Sequence, residues 1–308
     1  MPVVFFGTPA FAIPSLRALI ESGEKIEAVV TRPDAPKGRD RAPSAPPVKE
    51  LALKHGLRVL QPRSMKDEGF VKELRDISPE FLVVVAYGRI LTREIIGVPT
   101  VAPVNVHASL LPRYRGASPI AWAIINGDAE TGVTTQIIKY ELDTGDILLQ
   151  EKTGIADEDT TETLSERLSV IGADLLVRTI KGLRDGTITP FPQAGEPTYA
   201  PPLKKEDGLM NWNRTARELF NFARGMHPWP GAYSFLHGER LRLAKVGLVP
   251  GEGAPGRIAK AEGDELLVGT GEGLLSIIEL QPEGKRPMAA RAFLQGRDVV
   301  EGDVFTDE

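Results

Sequence analysis

Short apolar runs alternating with helical stretches over the first hundred residues limit the fold more than any other feature of this chain. Val3-Val4-Phe5-Phe6 reads as a buried strand stopped at Gly7, and a helix follows through Pro14-Ser15-Leu16-Arg17-Ala18-Leu19-Ile20. Ile26-Glu27-Ala28-Val29-Val30 is a second strand, succeeded by a helix over 48–54, a strand at Arg58-Val59-Leu60 and a helix over about 66–75. Phe81-Leu82-Val83-Val84-Val85 is apolar at every position, as expected of a strand covered on both faces. Strands separated in this way by helices predict an α/β fold with a doubly wound, mostly parallel sheet. Farther on, Leu164, Leu168, Ile171 and Leu175 recur at i, i+4, i+7 and i+11, the core-facing stripe of a helix.

At 308 residues the chain is long for one core and comfortable for two domains. The break falls near Thr189, where Pro190-Phe191-Pro192-Gln193-Ala194-Gly195-Glu196-Pro197 is rich in residues that stop regular structure. We expect a first domain over 1–189, a linker over 190–206 and a second domain over 207–308. The second reads as a short helix over 215–224, with Leu219, Phe222 and Ala223 inward, followed by short strands around 241–244, 256–259, 265–268 and 274–278. Glycine turns between such strands suggest a small β-barrel. There is no cysteine, which excludes disulfides, thiolate nucleophiles and sulfur-ligated metal. No run approaches the roughly 18–20 apolar residues a membrane span needs, and no secretory pattern opens the sequence. A cytoplasmic protein, monomeric and without membrane contact, is the expectation.

Chemistry is concentrated in Asn105-Val106-His107-Ala108-Ser109-Leu110-Leu111-Pro112, which emerges from the apolar run Val101-Ala102-Pro103-Val104. In an extended strand the side chains at i and i+2 share a face, so Asn105 and His107 point together. One offers an amide donor to an oxyanion; the other exchanges protons most readily near neutral pH. The chain then turns through Leu111-Pro112, where open α/β sheets place their ligands. Asp143 lies in the turn-rich stretch Glu141-Leu142-Asp143-Thr144-Gly145-Asp146, available to hold His107 in one tautomer. Gly7-Thr8-Pro9 follows the first strand but lacks the G-x-G-x-x-G spacing, and Pro9 removes an N–H that a pyrophosphate would require. A nicotinamide enzyme is thereby disfavoured. His55, His227 and His237 show no ligand spacing, so no metal is expected.

These motifs resemble the folate-dependent formyltransferases. Asn105-x-His107, the Ser109-to-Pro112 bend with Tyr114-Arg115-Gly116, and Leu142-Asp143-Thr144-Gly145-Asp146 carry the resemblance. Val4-Phe5-Phe6-Gly7-Thr8-Pro9, Arg32-Pro33-Asp34-x-Pro36-x-Gly38-Arg39, Tyr199-Ala200-Pro201-Pro202-Leu203 and Pro228-Trp229-Pro230-Gly231-Ala232 narrow it to the branch acting on methionyl-tRNA. The resemblance spans essentially the whole chain. It implies a Rossmann-like catalytic domain, an oligonucleotide-binding-like barrel, and formyl transfer from 10-formyltetrahydrofolate to the α-amine of initiator methionyl-tRNA. On this reading Asn105, His107 and Asp143 are catalytic. Ser109, Leu110, Leu111 and Pro112 line the folate pocket, with Tyr87 as an aromatic wall for the pterin.

Charge bears on the acceptor. The formal net charge is −5, unusual for a tRNA-binding protein. Locally, however, Arg32, Lys37, Arg39, Arg41, Lys49, Lys54, Arg58, Arg63 and Lys66 face only Asp34, Asp40 and Glu50 between 31 and 66. Composition alone allows a solvated charged loop. The resemblance implies instead a basic insertion that enters the tRNA acceptor stem, with Lys37, Arg39 and Arg41 as contacts and Arg39 in the key position. Asp40 departs from the glycine usual after that arginine, and the segment from Asp207 onward is net acidic. A patch built by Arg214, Arg217 and Arg224 along one side of the 215–224 helix is a further expectation. Two alternatives stand beside this reading: a formyltransferase acting on a nucleotide-linked amino sugar, and a noncatalytic RNA-binding protein.

Overall fold

A computed structural model describes residues 2–36 and 43–308 of the chain. Seven strands build the first sheet: β1 Pro2–Gly7, β2 Lys25–Val30, β3 Val59–Leu60, β4 Phe81–Val85, β5 Ala102–His107, β6 Glu130–Ile137 and β7 Ile147–Gly154. Their order is β7-β6-β5-β4-β1-β2-β3. Pairing is parallel from β3 across to β5. It turns antiparallel at β5–β6 and β6–β7. The expected doubly wound sheet is therefore present, with an antiparallel edge on the side of Asn105 and His107.

Helices α1 Ile13–Glu21, α2 Pro47–Lys54, α3 Glu68–Ile77 and the single turn α4 Arg93–Ile96 cover this sheet. Asp67 caps α3 by accepting from the Phe70 N–H, and Ser78 ends it in the left-handed region. That cap fixes the start of an amphipathic helix, whose Phe70, Val71 and Leu74 join Val4, Phe6, Ala28, Val30 and Leu82 in one buried cluster. Val3, Phe5, Val29, Val83 and Val85, from the opposite face of the same strands, are also fully buried. Two covered faces explain why these strands read as unbroken apolar runs. Helix α5 is Pro119–Ile125, and α6 is Thr161–Arg184. On α6, Leu164, Leu168 and Leu175 are buried, and Gly172 has no side chain to hold Val106 and Val133 away.

The chain divides into two compact units. One comprises Met1–Pro119, Glu130–Gly154 and Ser165–Ala200; the other comprises Ile120–Ala129, Ile155–Leu164 and Pro201–Glu308. The second unit contains helix α7 Ala216–Gly225, held by a capping box between Thr215 and Glu218. A curled antiparallel sheet follows, containing β8 Tyr233–Leu236, β9 Glu239–Val249, β10 Ile258–Glu262, β11 Glu265–Gly269 and β12 Leu274–Pro282. Its ends meet through an Arg257–Val304 bridge, giving the expected barrel-like closure. Ala121 and Ile125 of α5 belong to this unit's core with Leu219, Phe222, Met226, Leu243 and Leu275. Among the described residues no helix is long and apolar enough to cross a membrane.

Phe6 is central to the first unit: it is fully buried and edge-on to both Tyr87, at 5.2 Å, and Phe70, at 6.4 Å. Phe6→Ala is expected to lower unfolding free energy by about 3–5 kcal/mol, read from the urea midpoint at unchanged slope.

Candidate active site

His107 is the last residue of β5, and Asn105 lies two positions before it on the same face. The antiparallel register sets Asn105 opposite Gln136 and His107 opposite Thr134. Directly opposed side chains share a face, so four polar groups meet where the strand ends. The other face carries Val104 and Val106 into the core. This alternation gives β5 one chemical face and one packing face.

His107 is only 6% exposed. Its Nε2 lies 2.9 Å from the Tyr114 carbonyl oxygen, which can only accept, so Nε2 carries the proton in the neutral ring. Nδ1 is turned to Asp143, with Oδ1 at 3.7 Å. The tautomer is thus set by a backbone carbonyl from the 112–116 loop rather than by Asp143, as the sequence had suggested. Asp143 instead faces the nitrogen left free to exchange a proton. The separation is longer than a direct hydrogen bond, and a water or a substrate atom can reach both groups only from beside the pair.

The Asp143 carboxylate is held at both oxygens. Oδ2 accepts from the Gly116 N–H at 2.8 Å, and Oδ1 accepts from Gln136 Nε2 at 2.9 Å. Gln136 is 2% exposed, and its Oε1 has no hydrogen-bond partner among the described residues. The Asn105 side chain, half-buried, also makes no hydrogen bond to a described residue. A buried acceptor and a nearby amide, both uncommitted, match a ligand that presents polar edges, because such groups are costly to leave unpaired.

The bend after His107 is fastened from several sides. Ser109 is fully buried and donates to the Arg113 carbonyl at 2.6 Å. Thr134 Oγ1 donates to the Ser109 carbonyl at 2.6 Å and accepts from the Leu111 N–H at 3.1 Å. Leu111 is buried, while Leu110 and Pro112 are half-exposed. The segment expected to be a linker joins in. Phe191 bridges Ile147 through both backbone bonds, at 2.8 and 3.0 Å. Thr198 Oγ1 accepts from the Tyr114 N–H at 2.8 Å, and Tyr199–Ala200 pairs in parallel with Arg115–Gly116. Gly116 has φ +124° and lies so close to the Ala200 carbonyl that a Cβ would sit 2.6 Å from it. Residues 191–200 are therefore part of the site's frame.

Other expected residues fall elsewhere. Tyr87 is 2% exposed and packed in the core beside Phe6; burial pushes its hydroxyl pKa up, and a ring so enclosed is no open pocket wall. Ile90, three residues on, is an exposed large apolar side chain. Lys37, Arg39 and Arg41 lie outside the described residues. Asp34, just before them, is gripped from beyond them: Lys49 Nζ contacts both Asp34 oxygens, at 2.7 and 2.8 Å, and Gln61 Oε1 at 2.9 Å. These bonds from Gln61 and Lys49 hold the Asp34 pKa below its ordinary value. Of the expected arginine patch, Arg217 pairs with Asp157 at 2.8 Å and Arg224 donates to the Ala156 carbonyl at 2.7 Å, so both side chains are engaged within the second unit.

Comparison with known proteins bears directly on this arrangement. A family model described as formyl transferase matches residues 1–180, and one described as formyl transferase, C-terminal domain, matches 202–298. A protein of Thermodesulfovibrio yellowstonii named methionyl-tRNA formyltransferase is 57% identical, over 97% of both chains. The chain belongs to the methionyl-tRNA formyltransferase family. A second member of that family, from Pelotomaculum thermopropionicum, is 48% identical over 99% of this chain and 98% of its own. Among solved structures, HypX from Aquifex aeolicus, crystallised with tetrahydrofolic acid, superposes with a TM-score of 0.67 at 14% identity. The match covers 98% of this chain and 50% of HypX, a likeness of fold.

Gln136, Gln193, Thr134 and Thr198 were not singled out from sequence. Only the strand register could have revealed Gln136 and Thr134, as the positions opposite Asn105 and His107. The site makes one spectroscopic prediction. Nitrogen-15 NMR of His107 with a neutral ring should show Nε2 protonated and Nδ1 bare; the opposite pattern would mean that the Tyr114 carbonyl does not set the tautomer.

Proposed function

We propose that this protein transfers a formyl group from 10-formyltetrahydrofolate to the α-amine of initiator methionyl-tRNA, in the cytoplasm and as a monomer. The observation that carries the reading is the convergence of Asn105, His107 and Asp143 within a chain 57% identical to a methionyl-tRNA formyltransferase. The catalytic domain is proposed to span 1–189 and the tRNA-binding domain 207–308, joined by 190–206. The Ser109-to-Pro112 bend is proposed to border the folate, with Leu110 and Pro112 facing it and Ser109 and Leu111 as the buried backing that shapes the bend. Lys37, Arg39 and Arg41 are proposed to contact tRNA.

Bound there, the folate supplies the formyl carbon; the remaining work falls to the chain. An α-amine has a pKa of about 7.7–8, so a fraction is already the free base and needs positioning more than activation. As the new C–N bond forms, negative charge develops on the formyl oxygen. Asn105 meets it with an amide N–H, a donor that is worth about 3–4 kcal/mol when preorganised in a partly dry site. The amine loses one proton, which His107 takes at Nδ1, and the departing folate nitrogen recovers one as its bond to the formyl carbon breaks. Nδ1 is available for this because Nε2 is committed to Tyr114. Asp143, on the Nδ1 side, holds the bridging water and stabilises the imidazolium that forms transiently.

Purified protein with 10-formyltetrahydrofolate is expected to formylate charged initiator tRNA. Formylation of an amino-sugar nucleotide but not of tRNA would defeat the proposal in favour of the sugar enzymes, and tRNA binding without either product would favour a noncatalytic binder. Asn105→Ala should lower kcat about 10²–10³-fold with tRNA affinity nearly intact. Arg39→Ala should weaken discrimination between initiator and elongator tRNA; equal discrimination before and after would remove Arg39 from recognition.

A further inference from the structure

Gln193 lies in the exposed run between Phe191 and Tyr199, yet it alone in that run is half-buried. Both ends of its amide are fully used. Nε2 donates to the carbonyl oxygens of Asp143 and Gly145, each at 2.8 Å. Oε1 accepts from Arg115 Nη2 at 2.7 Å and Nε at 3.1 Å. One side chain thus joins three segments distant in sequence: the connector, the Asp143 turn and the Arg115–Gly116 strand.

The Asp143 turn requires such a tie. Asp143 has φ +54°, in the left-handed region, which residues with a Cβ adopt infrequently and Asp more readily than most. Two residues on, a Cβ on Gly145 would lie 1.6 Å from the Ile137 carbonyl, so the turn is pressed against the end of β6. Glu141 and Leu142 before it are exposed and give no packing on that side. The carboxylate itself is fixed by Gly116 and Gln136. The turn's backbone is closed on itself by the Thr144 hydroxyl, which donates to the Glu141 carbonyl at 3.0 Å, and is tied to β6 where the Ile137 N–H donates to the Asp146 carbonyl at 2.9 Å. Of these side chains, Gln193 alone binds the carbonyls of Asp143 and Gly145 themselves, and it grips Arg115, the neighbour of Gly116, with its other end.

We propose that Gln193 is a positioning residue for formyl transfer: it holds the Asp143 turn so that the carboxylate faces His107 Nδ1. This rests on the catalytic reading of Asp143 given above. The connector between the two halves of the chain then forms part of the catalytic frame, and its role is exercised through Asp143 without contact with either substrate. A misplacement near 1 Å costs roughly 100-fold in rate, so the effect should fall on turnover rather than on binding.

The test uses the full-length protein, initiator methionyl-tRNA and 10-formyltetrahydrofolate, comparing wild type with Gln193→Ala, Gln193→Glu, Asp143→Ala and the Gln193→Ala/Asp143→Ala double variant. Gln193→Glu keeps an acceptor for Arg115 but loses the donor to the two carbonyls. Both Gln193 variants are expected to lower kcat about 10–100-fold with the KM of each substrate little changed. In single-turnover measurements the double variant should be no slower than Asp143→Ala alone. Gln193→Ala or Gln193→Glu at wild-type kcat, or losses that multiply in the double variant, would overturn the proposal. So would a loss confined to KM. Should Gln193→Ala fail to fold, Gln193→Glu decides the matter by the same criteria. Wild type inactive on tRNA defeats the functional reading and this inference with it; active wild type with unimpaired Asp143→Ala defeats only the role of Asp143 and what rests on it.

Discussion

The antiparallel register between Ala102–His107 and Glu130–Ile137 is the constraint on which the candidate active site depends. It places Asn105 opposite Gln136 and His107 opposite Thr134. A slip of one residue would turn these groups into the core and bring Val104 and Val106 out. The buried valines therefore protect the register by the hydrophobic free energy such a slip would forfeit. Gly172 strengthens this, since its missing side chain lets the long helix come close to Val106 and Val133. Packing on one face of the strand fixes chemistry on the other.

Much of this was legible in the chain. The apolar runs at Val3–Phe6 and Phe81–Val85 marked strands because burial on both faces removes the polar alternation that would otherwise blur them. Asn105 and His107 were legible as a pair because a strand's period is two. Gln136 was not, since cross-strand opposition depends on a register that no local pattern encodes. Gln193 was hidden for a related reason: its proline-rich surroundings read as a linker, and its value lies in backbone carbonyls fifty residues away. Tyr87 misled in the opposite direction. An aromatic beside a strand's end can line a pocket or fill a core, and only its contact with Phe6 distinguishes the two.

Charge shows the same limit. Arg217 and Arg224 share a helix in sequence order, but Asp157 and the Ala156 carbonyl come from a distant segment. A basic row read from sequence holds only until tertiary neighbours are known. By contrast, the Asp34–Lys49–Gln61 network joins residues already close to the basic stretch and fastens the chain just before it.

The second unit's core includes Ala121 and Ile125 together with residues beyond position 200. During synthesis from the amino terminus, helix α5 is made well before the partners that bury it. A fragment ending at the apparent domain boundary would carry apolar groups whose cover had not yet been translated. The second half cut away on its own would lack those same side chains from its interior. The two halves are therefore separate as compact bodies but not as inheritable parts: recombination at the proline-rich connector would exchange incomplete cores. Transplanting the second unit into another enzyme would require moving α5 and the 155–164 segment along with it.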